Sequence, residues 1–278
     1  MKLTLIVAPY DSGQRHEGFG KGPDALLTGG LVDTLTLEGH DVTVEEIDKI
    51  EGLGDREIAT GFAVCKSVAR KVVKSREQGR FPVVLAGNCL TTCGAVAGED
   101  ADSIIWFDQH GDINTPETST FGFLDGMALA TTLGLCWRPM ANTIPGFRPI
   151  DAAKCMLVDA RDLDPDEKLL LDSLPVIHAR MDEAAEKVMG LKQAGVRRTH
   201  LHIDLDVHDP DELQVNRYAE PGGPQPDAVR EAAICMARSV PIVGLTFSAY
   251  DPAFDAKGDV PPAVGRLLVD FLAAMERI

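Results

Sequence analysis

The stretch SIIWFDQHGD (residues 103–112) begins as an apolar, β-rich run and ends in three alternating polar side chains. These side chains are Asp108, His110 and Asp112. In an extended chain, side chains at positions i, i+2 and i+4 point to the same face. The stretch therefore predicts a buried strand whose end presents two carboxylates and an imidazole in one direction.

The stretch THLHIDLD (residues 199–206) repeats the pattern further along the chain and ends in Asp204 and Asp206. Carboxylates and imidazole suit Mn²⁺, Mg²⁺ or Zn²⁺ better than they suit a dry core. Crowded carboxylates repel one another and take up protons, and a divalent cation would remove that penalty. The two stretches predict a metal site with one ion, or a pair of ions that share Asp108 and Asp204. The alternative is that these aspartates are loop residues in water.

The composition is that of a folded protein with a net negative charge. The chain has 278 residues, of which 45% are hydrophobic, and its 27 basic and 43 acidic residues give a net charge of −16. The apolar share is enough for a large core. Phosphates would be repelled, so we expect no nucleic-acid partner. No apolar stretch approaches the ~20 residues that span a bilayer, so we expect no membrane partner either.

The start of the chain and its cysteines predict a cytoplasmic protein. The opening residues, MKLTLIVAP, are too short for a signal peptide and predict a first strand. Six cysteines are scattered at positions 65, 89, 93, 136, 155 and 235. A chain of this length needs no disulfides to be stable, so the thiols are expected to be reduced.

Short β-rich runs alternate with amphipathic stretches along nearly the whole chain. The predicted strands lie near residues 2–8, 41–47, 81–86, 103–108, 154–158, 174–178, 199–204 and 241–248. The predicted helices lie near residues 23–38, 57–78, 92–98, 126–135, 165–172, 182–194, 226–238 and 261–277. This alternation predicts an α/β fold with a mostly parallel sheet of about eight strands, covered by helices on both faces. We predict one domain over residues 1–278, with ligands beyond the carboxyl ends of the strands, where both aspartate stretches lie.

Two segments carry a family resemblance. DQHGDINTP (residues 108–116) and DLDVHDP (residues 204–210) resemble signatures of the arginase/agmatinase/formiminoglutamase family, also called ureohydrolases. Weaker matches follow in the family's order, namely DSG (11–13) with Gly18 to Pro23, AGNC (86–89) and PGG (221–223). The resemblance implies a three-layer α/β/α sandwich that holds two Mn²⁺ ions and hydrolyses a guanidine or amidine C–N bond. It also implies a homo-oligomer, either a trimer or a hexamer.

The resemblance implies two sets of metal ligands. One ion would be bound by Cys89, Asp108, Asp112 and Asp204. The other would be bound by Asp108, His110, Asp204 and Asp206. Two cations ~3.5–4 Å apart that bridge a water lower its pKa from ~15.7 toward neutral, and the resulting hydroxide could attack an sp² carbon. Mn²⁺ is the ion that the resemblance implies, with Zn²⁺, Co²⁺ or Ni²⁺ as alternatives, and two ions are expected if Cys89 ligates.

Cys89 departs from the family pattern, which has a histidine at this ligand position. A thiolate is a good ligand for Zn²⁺ but an unusual one for Mn²⁺. Three outcomes stay open: Cys89 ligates, the first ion is bound weakly, or that position is empty. Cys89 could also be a small buried apolar residue, as free cysteines commonly are.

Asp125 and His208 are the candidate catalytic residues. Asp125 stands where arginases have a proton-shuttling histidine, and it could transfer a proton only if its pKa were raised from ~3.9 by burial or nearby carboxylates. Asp125 could instead pair with a cationic substrate or cap the helix predicted to begin at Gly126. His208 could serve as a surrogate acid or support a ligand from behind. His202, two residues before Asp204, is interpreted as a buried imidazole with a hydrogen-bond partner.

The candidate substrate-binding residues depart from arginase. Ala249 stands where the family has a glutamate that grips the guanidinium, so a strong charge-assisted contact is missing. Phe121 and Phe123 occupy positions where arginases have small polar residues that hold the amino-acid end, and Asn114 alone remains. These residues predict a more apolar wall and a substrate other than L-arginine, unless the phenylalanines are core residues.

The sequence predicts a metal-dependent hydrolase that uses a metal-bridging hydroxide on a linear C–N bond. The small-molecule substrate would be a guanidino, ureido, amidine or amide compound other than L-arginine. The alternative is a catalytically degenerate family member that acts as a subunit or as a small-molecule binder. The altered ligand Cys89, the missing glutamate at Ala249 and the replaced histidine at Asp125 motivate that alternative.

Overall fold

An eight-stranded parallel sheet forms the centre of the protein, whose structure is a computed structural model that describes residues 1–53 and 56–276. The described strands are β1 (Lys2–Ala8), β2 (Tyr10–Asp11), β3 (Gln14–Arg15), β4 (Asp41–Glu46), β5 (Phe81–Ala86), β6 (Ser103–Phe107), β7 (Cys155–Val158), β8 (Ile177–Ala179), β9 (Thr199–Asp204) and β10 (Ile242–Ser248). The sheet order is β4-β1-β5-β10-β9-β6-β7-β8, and β2 and β3 form a separate antiparallel pair. Every strand pair in the large sheet is parallel, which confirms the predicted α/β fold.

Helices cover both faces of this sheet. The described helices are α1 (Gly22–Thr28), α2 (Leu31–Leu37), α3 (Glu57–Glu77), α4 (Thr92–Glu99), α5 (Ala128–Thr132), α6 (Arg138–Ala141), α7 (Pro165–Asp172), α8 (Ala184–Gln193), α9 (Pro226–Ser239) and α10 (Val260–Met275). The prediction of a single helix over residues 23–38 is wrong, because the helix is interrupted between α1 and α2. Gly30 has a φ of 93° there, a left-handed conformation that glycine adopts without steric penalty. The last helix was predicted to reach residue 277, which lies outside the described residues.

Strand alternation divides the core into two layers. On β1, Leu3 and Leu5 pack on the side of α1, α2, α9 and α10, whereas Ile6 and Ala8 pack on the side of α3. Both sides are apolar because each faces a helical layer, as a doubly covered parallel sheet requires. The result is the predicted three-layer α/β/α sandwich. Among the described residues, no helix has both the length and the apolar character that crossing a membrane would require.

The carboxyl ends of β5, β10, β9 and β6 lie side by side at the middle of the sheet. Open parallel sheets bind ligands beyond this edge, because the loops that leave the strands meet there. Both aspartate stretches end at this edge, since Asp108 follows β6 and Asp204 is the last residue of β9. The fold therefore brings together groups that are far apart in the sequence.

Candidate metal and substrate site

Two groups of metal-ligand atoms lie at this edge, and in each group all the atoms are within 4.8 Å of one another. The first group consists of atoms from Cys89, Asp108, His202 and Asp204. The second group consists of atoms from Asp108, His110 and Asp206. Asp108 belongs to both, so the two groups adjoin. We call the residues of these two groups the metal floor.

Hydrogen bonds fix the carboxylates of the metal floor. The indole Nε1 of Trp106 donates to Asp108 Oδ2 at 2.9 Å, and the backbone N–H of His110 donates to Asp108 Oδ1 at 2.7 Å. The backbone N–H of Asp206 donates to Asp204 Oδ1 at 2.8 Å. In both loops the backbone N–H of one residue donates to the carboxylate two residues before it. These bonds orient the Asp108 and Asp204 side chains.

Cys89 sits against Asp204 at the carboxyl end of β5. Its Sγ is 2.9 Å from Asp204 Oδ2 and 3.1 Å from Ser248 Oγ at the end of β10. Burial raises the pKa of the Cys89 thiol well above its usual value, and the nearby carboxylate of Asp204 raises it further. The thiol is therefore a poor free nucleophile, whereas a coordinating cation would deprotonate it.

The carboxylates of the metal floor repel one another in a buried setting. Burial raises the pKa of Asp108 and of Asp204, and their acidic neighbours add to the effect. For His110, burial acts to lower the pKa, but the carboxylates of Asp206 and Asp108 raise it to about 10. The three carboxylates of the floor thus carry more negative charge than His110 can balance, and a divalent cation would offset the excess.

Two buried carboxylate oxygens lack a hydrogen-bond partner among the described residues. They are Asp112 Oδ2 and Asp206 Oδ1. Leaving a buried acceptor unpaired costs about 1–3 kcal/mol, so such atoms point to a ligand that protein atoms do not supply. Oxygen, nitrogen and sulfur donors converge next to them, so the donor set fits divalent metal ions.

Asp112 is placed differently from its predicted partners. Asp112 is buried and lines a cavity next to the two ligand groups, but among the described residues it belongs to neither group. Its backbone has a φ of 49°, a left-handed conformation that is uncommon outside glycine. The sequence predicted Cys89, Asp108 and Asp204 as partners of Asp112, and the structure brings those three together with His202 instead.

A cavity of about 300 Å³ opens above the metal floor. Four aromatic side chains form part of its wall, and we call them the aromatic rim: Phe19, Phe121, Phe123 and Tyr218. The rings of Phe123 and Tyr218 are 6.3 Å apart, and those of Phe19 and Tyr218 are 5.9 Å apart in an edge-to-face arrangement. Among the described residues that line the cavity, none is lysine or arginine.

Known proteins resemble this chain in sequence and in fold. The sequence model of the arginase family matches residues 1–273. An arginase from Bacillus subtilis (strain 168) is 32% identical over 235 residues, which cover 76% of this chain and 77% of that protein. An arginase from Bacillus caldovelox is 29% identical over 230 residues, covering 75% of this chain and 77% of that protein.

This chain belongs to the arginase family. Its structure superimposes on the crystal structure of an arginase from Bacillus cereus with a TM-score of 0.87, at 26% identity and with 98% of each chain covered. Membership of the family places the chain among metal-dependent hydrolases.

Phe121 and Phe123 are exposed at the mouth of the cavity. Phe121 is 89% exposed and Phe123 is 38% exposed. The alternative that both are core residues is wrong, because core side chains of this size are excluded from water. Asn114 is buried below them, and its amide donates to Asp164 Oδ2 at 3.3 Å. The three residues predicted for the substrate wall all line the cavity.

Asp125 also lines the cavity, but its carboxylate is bound by the segment that contains Cys89. It accepts hydrogen bonds from Asn88 Nδ2 at 2.9 Å, from the N–H of Cys89 at 3.0 Å and from the N–H of Leu90 at 2.8 Å. Its alternative role as a cap of the helix at Gly126 is wrong, since Leu124 precedes that turn and makes no capping bond. Burial raises the pKa of Asp125 to about 7, and the hydrogen bonds from Leu90, Asn88 and Cys89 oppose that rise.

His208 lies off the cavity. It is buried, its Nδ1 donates to the carbonyl of Leu205 at 2.8 Å, and it is not among the residues that line the cavity. Burial lowers its pKa to about 4, so the ring is neutral at physiological pH. This geometry does not support the predicted acid role of His208, which stays a prediction.

Sequence reasoning missed half of the aromatic rim and three acidic wall residues, Asp162, Asp164 and Glu167. Phe19 and Tyr218 come from loops far apart in the chain, so no local spacing announces them. Glu167 also lines the cavity and accepts a hydrogen bond from the N–H of Ile113 at 3.1 Å. Glu167 lies three residues after Asp164 and two after Pro165, a pattern typical of a helix start. That pattern explains the residue without any role at the cavity, so the sequence did not indicate one.

Proposed function

We propose that this chain hydrolyses a linear C–N bond in a guanidino, ureido, amidine or amide compound other than L-arginine. The carrying observation is that two groups of ligand atoms share Asp108 in an arginase-family fold. Sites in which two cations share a carboxylate are typical of hydrolytic enzymes. Asp125, which lines the cavity, is the proposed proton-handling residue. His208 is proposed to support the site from behind, and the protein is proposed to be a cytoplasmic homo-oligomer of one domain.

The residues of the metal floor would hold and orient the ions. When bound, a pair of divalent ions lowers the pKa of a water and so supplies the nucleophile. Asp108 would contact both ions, His110 and Asp206 would complete one position, and Cys89 and Asp204 would take part in the other. Trp106 keeps Asp108 in place through its indole N–H. No nucleophilic side chain is then required.

The cavity wall favours a substrate without an anionic end. Asp162, Asp164 and Glu167 line one part of the wall, and an α-carboxylate placed beside them would be repelled. One N–H of the Asn114 amide already donates to Asp164, which leaves only one donor for such a carboxylate. These contacts support a tail that is cationic or uncharged.

The aromatic rim supports a tail with an apolar or aromatic part. Phe121, Phe123 and Tyr218 are all exposed and line the same cavity, and clustered exposed apolar groups often mark a contact with a ligand or a partner. Flat apolar groups stack on phenylalanine and tyrosine rings, and cations bind over their faces. Ala249 lines the cavity with a methyl group, so the guanidinium-type end would have no glutamate there.

The test is a reconstitution and substrate screen. Metal-free protein is loaded with Mn²⁺, Zn²⁺, Co²⁺ or Ni²⁺, and bound metal is counted by plasma mass spectrometry. Each form is then assayed for urea, ammonia or amine release from arginine, agmatine, aryl-alkyl guanidines, ureido acids and formimino compounds. We expect two ions per chain and release from a guanidino or amidine compound with an apolar tail, at a higher kcat/KM than from L-arginine.

Two outcomes would contradict the proposal. If L-arginine were the best substrate, the proposed substrate class would be wrong while the hydrolase would stand. If no metal were retained after loading and no compound were cleaved, the chain would instead be a degenerate family member that binds a small molecule or another subunit. An Asp166→Asn variant on the surface of α7 serves as the matched control for carboxylate loss, since Asp166 is exposed and lies outside the cavity.

A further inference from the structure

His202 is the one imidazole that the structure places among Cys89, Asp108 and Asp204 in the described residues. It lies on β9 two residues before Asp204, so strand alternation puts both side chains on the same face of the sheet. All four ligand atoms are within 4.8 Å of one another. The position that lost a family histidine at Cys89 therefore has an imidazole from a different strand beside it.

The ring of His202 is held in one orientation. Its Nδ1 is 2.8 Å from Thr92 Oγ1 on α4, and its Nε2 is 3.3 Å from Ser248 Oγ. That same hydroxyl of Ser248 is 3.1 Å from Cys89 Sγ. Metal-binding histidines usually use one ring nitrogen for the metal and donate the other ring N–H to a hydrogen-bond acceptor. Thr92 can accept from Nδ1, which leaves Nε2 on the side of Cys89.

Trp106 links the imidazole to the shared carboxylate. The rings of Trp106 and His202 stack with centroids 3.6 Å apart and an angle of 20° between their planes. The indole N–H of Trp106 donates to Asp108 Oδ2 at 2.9 Å. One side chain thus positions both an imidazole and a carboxylate of the same group.

His200, on the same face of β9, shows what a purely structural histidine looks like here. Its Nδ1 is 2.9 Å from a carboxylate oxygen of Glu99, and its Nε2 is 3.0 Å from Thr246 Oγ1. Both ring nitrogens therefore have core partners, one of them charged. His202 meets two hydroxyl groups instead, and hydroxyls can rotate to release a nitrogen for a cation.

The ligand chemistry of this group differs from that of its neighbour. Thiolate and imidazole donors suit Zn²⁺ and Co²⁺, whereas oxygen-rich sites suit Mn²⁺. Tetrahedral Zn²⁺ with bonds of about 2.0–2.3 Å separates its ligand atoms by about 3.3–3.6 Å. The ligand atoms of this group lie within 4.8 Å of one another, so the side chains would have to move closer by up to about 1.5 Å to bind such an ion.

We propose that His202 completes the first metal position together with Cys89, Asp108 and Asp204, as a stronger ligand there than Asp112, and that this position selects Zn²⁺ or Co²⁺ over Mn²⁺. The proposal rests on the metal floor of the proposed function. The lost family histidine is replaced by an imidazole that arrives from β9 instead of from the loop after β5. The second position, with Asp108, His110 and Asp206, keeps the harder donor set.

The experiment measures metal binding by the whole reduced chain, without reference to turnover. Metal-free protein is titrated with Co²⁺ alone, and absorption is followed for the near-ultraviolet band of sulfur-to-cobalt charge transfer. We expect the band in the wild type and in Cys93→Ser, and its loss in Cys89→Ser. Cys93 is the matched control, because it is buried on α4 and lies outside both ligand groups.

A second measurement separates His202 from Asp112. Zn²⁺ affinity is determined by competition with a chromophoric chelator for His202→Gln and Asp112→Asn. Loss of even an outer partner of a ligand weakens metal binding about ten- to a hundredfold. We expect at least that loss for one Zn²⁺ equivalent in His202→Gln, and a smaller change in Asp112→Asn. The opposite ranking would overturn the proposal.

A third measurement covers the case in which His202→Gln does not fold, as judged by circular dichroism. X-ray absorption of wild-type protein with one Zn²⁺ equivalent should then show one sulfur and one imidazole, and absence of either would overturn the proposal. Failure of the proposed function looks different, because wild-type protein would then retain no metal at all. If the protein bound metal and hydrolysed a C–N bond but showed no sulfur-to-cobalt band, only the proposed ligands of the first position would be wrong.

Discussion

The metal floor and the aromatic rim of one cavity are built in opposite ways. The floor comes from strand ends, is buried, and is fixed by hydrogen bonds such as that from Trp106 to Asp108. The rim comes from loops, and its Phe121 is almost fully exposed. The sheet therefore holds the proposed metal ligands, whereas the proposed substrate contacts lie on segments that the sheet does not fix.

The largest effect should follow from Asp108→Asn, because Asp108 belongs to both ligand groups. Metal-assisted stabilisation is worth several kcal/mol, and a loss of about 4 kcal/mol corresponds to about a thousandfold in rate. We expect kcat/KM to fall by at least that factor and bound metal to drop below one ion per chain. Plasma mass spectrometry measures the bound metal and steady-state kinetics measure kcat/KM, with Asp166→Asn as the control. An unchanged metal content in Asp108→Asn would contradict the assignment of metal binding to the floor.

Cys89→His tests the metal floor by restoring the histidine that the arginase family has at this ligand position. Replacing a thiolate by an imidazole should shift the preference of the first position toward Mn²⁺. We expect the ratio of the Kd for Mn²⁺ to the Kd for Zn²⁺ to fall by about tenfold or more. Chelator competition with both ions measures it, with Cys93→Ser as control, and an unchanged ratio would mean that Cys89 does not ligate.

Phe123→Ala should change substrate binding and leave the chemistry intact. An aromatic contact of this kind is worth about 0.5–1.5 kcal/mol, so KM should rise about two- to tenfold while kcat stays constant. Phe254→Ala is the matched control, because Phe254 is similarly exposed and does not line the cavity. A fall in kcat with constant KM would show that the rim takes part in the reaction, which contradicts the comparison.

The smallest effect concerns pH and the stability of the metal-free protein. Burial raises the pKa of Asp125 to about 7 and that of Glu167 to about 7. The folded state then binds more protons than the unfolded state between about pH 4 and 7, so the free energy of unfolding falls as pH rises through that window. We expect Tm to be at least about 2 °C higher at pH 5 than at pH 8.

The same scan with Zn²⁺ bound is the control for the pH prediction. A nearby cation favours ionised carboxylates, so it should reduce the difference between pH 5 and pH 8. A Tm of the metal-free protein that rises from pH 5 to pH 8 would contradict the raised pKa values of Asp125 and Glu167.

Sequence patterns predicted the metal floor better than the rim. Asp108, His110, Asp204 and Asp206 follow buried strands at two-residue spacing, and that periodicity is local. Phe121 and Phe123 were found only through the family resemblance, and Phe19 and Tyr218 were missed because loops carry no period. The break between α1 and α2 was missed because adjacent glycines at Gly29 and Gly30 did not by themselves reveal where the chain would turn.

The sequence alone determined the parallel sheet and the direction in which each strand end presents its donors, because side-chain alternation depends only on the backbone. The tertiary structure decided which donors meet. It placed β10 between β5 and β9, so that Ser248 lies against both Cys89 and His202, and it brought His202, which was not predicted as a ligand, beside Cys89, Asp108 and Asp204. Strand order is set by packing of the whole chain, and a spacing of two residues cannot encode it.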